Sequence, residues 1–377
     1  MSFAALLLLN QSAMAASYGL MTTIPITPKN PTSFDIGWVD PGSHRYYLAD
    51  KTNHGVDVID TRTNTFLMTI TGFVGANGIL VVPPSHEEDS HGGDDEQFGG
   101  GLGQLWVGDN PDTTGSSVKV VDLNTNTITH TIYTGGVKRA DELAFDAKDG
   151  IILMANDQDT PPFITFISTT TYAILGKISY PQATAGIEQS VWDQHNGMFY
   201  LNLPATVANP GGEVDEINPV SMAVVHTFGV TGCMPAGLAL GSHQHLLLGC
   251  SGGAIRAGFH ASSIIMDARD GDVVATITQV GGSDEVWYNP GDGRFYLAAS
   301  GMTSDGTKTG TSAPVLGVID SEEATWLFNV PTTVGAHSVA VDPSSNHAFV
   351  PLRVATTPPT PPAGLGIGVF GAPDEED

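Results

Sequence analysis

One short unit recurs along the chain. Val56-Asp57-Val58-Ile59-Asp60 is followed by the turn Thr61-Arg62-Thr63-Asn64-Thr65 and an apolar-alternating run to Gly72. The same strand, turn and strand return at Val118–Thr134, Ile164–Ser179, Val214–Phe228, Ile264–Gln279 and Leu316–Val330. The place of Asp60 is taken by Asp122, Ser168, Asn218, Asp267 and Asp320, at intervals of 46 to 62 residues. Repetition at such a period marks a solenoid or a propeller, because one unit cannot bury its apolar face alone. Ahead of each unit lie two more strands joined by a turn, such as Asp35–Val39 with Arg45–Ala49 and Val286–Tyr288 with Arg294–Ala298. With Ile79–Val82 and Gln104–Gly108 supplying the second, the four-stranded units number seven. The pattern predicts an all-β chain folded as a seven-bladed β-propeller. The last blade has three strands of its own, ending at Ile367–Phe370, while Leu20–Thr27 reads as a strand without a blade. Placing that N-terminal strand in the last blade closes the ring and removes its open edges.

The run RYYLADKTNHGVDVIDTRTNTFLMTITG at 45–72 resembles the YncE-like family of bacterial propellers with YVTN-type repeats. The resemblance extends over nearly the whole chain after its first residues. It implies the propeller fold and carries no specific function, since propellers of this kind host binding proteins and enzymes alike.

Composition narrows the partners. Fourteen Lys and Arg against 40 Asp and Glu give a formal charge of −26, which repels nucleic acid and anionic membranes. Metal ions, cationic ligands and basic protein surfaces fit better. Residues 1–16, MSFAALLLLNQSAMAA, combine a short apolar run with Ala13-Met14-Ala15, a small-x-small cleavage pattern. They are read as a signal peptide without a basic n-region. Their apolar run is too short to span a bilayer, so no membrane insertion is expected. The remainder, 17–377, is read as one periplasmic or secreted domain. Within it, 85–103 forms an acidic, His- and Gly-rich insertion and 371–377 an acidic tail. Cys233 precedes the inner strand of blade five and Cys250 ends its neighbour, so antiparallel pairing sets them opposite each other. A disulfide is expected there, as suits an oxidising compartment.

In a four-stranded blade the innermost strand starts at one face and runs down the central channel. The residue just before each inner strand therefore faces the channel mouth. Aligning the blades places Asp35, Asn77, Asp141, Glu188, Ala236, Asp284 and His337 in that ring, with Glu142, Gln189, Glu285 and Ser338 beside them. Four carboxylates and an imidazole converging on one channel repel one another unless a cation, shared protons or nearby bases offset the charge. Asp35, Asp141, Glu188, Asp284 and His337 are thus the candidate metal ligands. Their oxygens suit Ca²⁺ or Mg²⁺, and the imidazole admits Mn²⁺, Fe²⁺ or Zn²⁺. Loops on the same face bring Lys51, His54, Asp157, Arg256, His260 and Arg353 to the rim, with Lys138 and Arg139 arriving ahead of Asp141.

Two classes of function fit this ring. The first is a metal-dependent hydrolase or lyase for a small carboxylate- or lactone-type substrate, by fold-level analogy with propeller lactonases. His337 or Glu188 would be its general base, and Arg139 or Arg256 would grip the substrate. Asn77, Glu142, Gln189, Glu285, Lys138, His54, His260 and Arg353 would line the substrate site. The second is a non-catalytic periplasmic propeller that binds a small molecule, a metal ion or a partner protein on the same face. The first is favoured, because an acidic ring with a histidine exceeds what a scaffold requires. No motif for a nucleotide or organic cofactor is present.

Overall fold

The computed structural model describes residues 18–84, 102–353 and 366–372. The expected leader, most of the acidic insertion and the tail beyond Ala372 lie outside these residues, and Gly371 is the last residue of a strand. The architecture is seven antiparallel four-stranded sheets, with strands numbered in chain order from β1(Gly19–Ile24) to β28(Gly366–Gly371). Blades one to six run β2–β5, β6–β9, β10–β13, β14–β17, β18–β21 and β22–β25 from the channel outward. The seventh is completed as predicted, in the order β26, β27, β28 and then β1, with Gly19 opposite Gly371 and Ile24 opposite Ile367. Successive innermost strands are neighbours, and the last of them, β26, returns to β2, so the ring is closed. No described helix is long and apolar enough to cross a membrane.

The recurring Asp60 position is explained by its turn. Asp60 Oδ1 accepts the backbone amides of Arg62 and Thr63, and Asn64 follows with φ 52°. Asn218 caps Val220 and Ser221 in the same way ahead of Met222, and Asp320 caps Glu322 and Glu323 ahead of Ala324. A short acceptor side chain at the first position spares the turn two unpaired amides. That is why Asp, Asn or Ser returns there.

The core is not central. Among the described residues the buried apolar side chains fall into seven clusters, each shared by two adjacent blades. Tyr46 of blade one stacks on Phe349 of blade seven at 5.2 Å, for example, and both are buried. Burial is therefore greatest on the second and third strands, while outer strands such as β17 are almost wholly exposed. What remains at the axis is polar at the mouth and aromatic below. Trp38 of blade one and Trp287 of blade six come from non-neighbouring blades and meet edge to face at 5.1 Å. The residues aligned with them are Leu80, Ala144, Val191, Ala239 and Ala340, mostly small, which leaves room for the two indoles to narrow the channel.

Candidate functional site

The mouth residues are aimed by a local irregularity of the inner strands. In blades one, two and five the register slips between Phe34 and Gly37, Ala76 and Ile79, and Pro235 and Leu238. In blades three, four and six the mouth residues Asp141, Glu188 and Asp284 lie just outside the ladder. Their amides bond to the carbonyls of Ala155, Asn202 and Ala298 respectively. An irregularity at a strand end re-aims a side chain, and here it sets one residue of each of these six blades at the channel mouth. Two glycines make this possible. A Cβ on Gly78 would collide with the Asp141 carbonyl, and one on Gly237 with that of Asp284.

At the centre of the acidic ring sits a guanidinium. Arg139 Nη1 is 3.0 Å from Asp35, and its Nη2 is 2.6 Å from Asp141 and 2.8 Å from Asp157. Its Nε also donates to Asp157 at 3.0 Å. Lys51 adds an ion pair to Asp35 at 2.5 Å. Three aspartates thus share two cations. Burial would raise the Asp35 carboxyl, but Lys51, Arg139 and His337 outweigh it and hold it below the usual range. Burial keeps Asp141 and Asp157 raised, with the other carboxylates adding to the effect against Arg139.

Four acids nearby make no direct ion pair. Glu142, Glu188 and Asp284 make no side-chain hydrogen bond or ion pair to the protein, and Glu285 accepts the Ser338 hydroxyl at 2.7 Å and is relieved in part by the Gly37 amide. Burial, followed by the neighbouring carboxylates, pushes Glu142, Glu188 and Glu285 well above the ordinary carboxylate range. Asp284 is exposed to the water of the channel; its enclosure by the ring raises it, and His337 partly relieves it. His337 stacks on Phe34 at 4.6 Å and its Nδ1 lies 2.9 Å from the Gly335 carbonyl. Its Nε2 lies 3.8 Å from Asp35 Oδ1, an ion pair when the ring carries both protons.

The structure brings Asp35, Asp141, Glu188, Asp284, His337 and Arg139 to one site and adds Asp157 and Lys51 to it. Asn77 and Gln189 are spent on blade-to-blade bonds, Asn77 Nδ2 to the Ala140 carbonyl and Gln189 Oε1 to the Leu238 amide. Lys138, Arg256, His260 and His54 are exposed on the rim, where His54 is bonded to the Val74 carbonyl. Arg256 lies on a short helix, α1(Gly252–Ala257). Arg353 is exposed beside Gly335. Cys233 and Cys250 form the expected disulfide. Among the described residues, no three His, Cys, Asp or Glu side chains stand close enough together to hold a metal ion. Sequence reasoning placed Asp157 and Lys51 at the rim without seeing that they share the Arg139 and Asp35 network. The only signal for it is the scarcity of basic residues in so acidic a chain.

It also missed a cleft. Between blades three and four a cavity of about 750 Å³ opens on the mouth face, walled by Pro161, Pro162, Pro181 and Ala185 and reaching Arg139 and Glu188.

No family model and no curated protein matches the sequence. Among solved structures, the chain is similar to hydrazine synthase of Kuenenia stuttgartiensis at 15% identity and a TM-score of 0.64, over 88% of this chain and 95% of that one. It is also similar to a chain of the mitotic checkpoint complex at 12% identity and a TM-score of 0.60, over 87% and 89% of the two chains. At such identities the likeness shows the seven-bladed β-propeller fold alone.

Proposed function

We propose that the chain is an exported, YncE-like propeller that binds a small cationic ligand at its channel mouth, an ammonium group or a divalent metal ion that keeps most of its waters, since among the described residues no three side chains there stand ready to ligate a bare ion. The supporting observation is an imbalance of charge. Lys51 and Arg139 are already committed to Asp35, Asp141 and Asp157. Glu142, Glu188, Asp284 and Glu285 make no ion pair of their own, and acids crowded in this way are relieved by taking up a cation or by keeping protons. The repeat motif and the expected leader support the family and the export. The disulfide is consistent with an oxidising compartment.

The test is titration calorimetry with CaCl₂, MnCl₂ and methylammonium chloride on the wild type and on the Glu142→Gln/Asp284→Asn variant, together with metal content by elemental mass spectrometry. Binding that is lost in the variant supports the reading. Equal uptake by both proteins, or none by either, overturns it.

A second reading, a metal-dependent hydrolase or lyase, is favoured by His337. The Gly335 carbonyl orients the ring through Nδ1, and in the neutral ring Nε2, beside Asp35, is left as a ligand or general base. Ester or lactone turnover abolished by a chelator and by His337→Ala would support it. Turnover indifferent to both would remove it.

A further inference from the structure

The cleft between blades three and four has a chemistry distinct from that of the ring it adjoins. Its volume, about 750 Å³, is that of a small-molecule site. It is built from the loop 157–162 of blade three and the crossover 181–188 into blade four, with Arg139 at its inner end. Three acids line it, and two are occupied. Asp157 is clasped by Arg139, and Asp159 accepts the amides of Val137 and Lys138. Glu188 has no protein partner, and its carboxyl lies where the cleft meets the channel mouth.

Beside the polar Gln158, Thr160 and Thr184, the wall carries a stiff apolar strip. Pro161, Pro162, Pro181, Ala183 and Ala185 have no rotamers to lose when a ligand packs against them. The crossover is tied down as well. Thr184 N donates to the Ala205 carbonyl, Val207 N to that of Gln182, and Tyr180 N to that of Pro162. A seat ordered before binding spends little affinity on ordering itself.

We infer that this cleft binds a protonated primary or secondary amine with a compact hydrocarbon body, its N–H donated to Glu188 and its body laid on the proline wall. No aromatic ring lines the cleft, so a quaternary ammonium would find no π-face to bind it. Arg139 does not repel the amine, because three aspartates already neutralise it. An anionic ligand would meet Asp157, Asp159 and Glu188. The inference rests on the cation-binding reading above and gives it a ligand class and a place.

Cyclohexylamine at neutral pH is the probe, with tetramethylammonium and cyclohexanol as controls, measured by titration calorimetry. The expected result is one cyclohexylammonium per chain. Binding should be about tenfold weaker or worse in Glu188→Gln, which loses a charge-assisted hydrogen bond. It should be lost in Ala185→Trp, which fills the cleft at an exposed position. Unchanged thermal melting of both variants confirms that they fold. Cyclohexanol binding as tightly as the amine, or tetramethylammonium binding better, would overturn the inference. So would amine binding that Asp284→Asn abolishes and Ala185→Trp spares. That last result would leave the mouth reading intact and move the ligand to the channel axis. Absence of amine binding at millimolar concentration also overturns the inference, while Mn²⁺ uptake in the same protein would still uphold the mouth.

Discussion

Replacing Arg139 by methionine keeps the hydrocarbon stem and removes the charge from among three aspartates. Asp35 retains Lys51, but Asp141 and Asp157 lose their only cation, and their side chains are 2% and 5% exposed. Removing one partner of a buried ion pair typically costs about 3–5 kcal/mol, because a buried charge is left without compensation. For a chain of this size the melting entropy is roughly 0.7 kcal/mol per kelvin, so the midpoint should fall by roughly 4–7 °C. The size of the effect should depend on pH. Burial already raises both carboxyls, and without Arg139 they rise further. The folded variant then holds protons that the unfolded chain releases above about pH 4, so its stability falls as pH rises. Thermal unfolding followed by circular dichroism at pH 4.5 and pH 8 would test this. The deficit against wild type should be small at the lower pH and full at the higher. A variant that melts like wild type at pH 8, or with the same deficit at both values, would refute the network's role.

Other outcomes follow from single features. Asp57 is buried beside Asp50, and burial first, then Asp50, pushes its carboxyl up to about 8. Asp57→Asn keeps an acceptor for the Thr69 hydroxyl, so its stability should decline less than wild type's between about pH 4 and 8, measured by urea unfolding across that range. Removing the Cys233–Cys250 bridge in a Cys233→Ser/Cys250→Ser variant opens a loop spanning 17 positions of sequence and should cost about 3 kcal/mol in denaturant titration. Ala324 holds a φ of 50°, which L side chains adopt reluctantly, so Ala324→Gly should gain up to about 1 kcal/mol in the same assay.

The blades were legible because each repeats one local solution. An acceptor at Asp60 and its equivalents caps a turn, and apolar residues alternate on either side of it, so periodicity alone recovers seven blades and the strand that closes the last. The mouth ring was legible for the same reason, since strand order fixes which residue of each blade meets the axis. Its electrostatics were not. Whether Arg139 reaches Asp35, 104 residues away, depends on the closed ring and on no pattern in the chain. The cleft escaped for a related reason, because two loops of ordinary composition become walls only once blades three and four stand side by side. Trp38 and Trp287 each read as an ordinary strand residue, and their meeting is a property of the closed ring.

The seam in blade seven also sets the order of assembly. Tyr18 donates its hydroxyl to the Phe370 carbonyl across 352 positions of sequence, and joining ends so far apart carries a chain-closure cost of about 5 kcal/mol beyond a constant. Six blades can form their own sheets as the chain appears, because each is built from consecutive strands. The seventh needs β1 and β28 side by side. Until the final strand arrives the molecule is an open arc with unpaired edges on blade seven. The first strand, idle through all of that time, then acts as a latch that turns a stack of sheets into a ring.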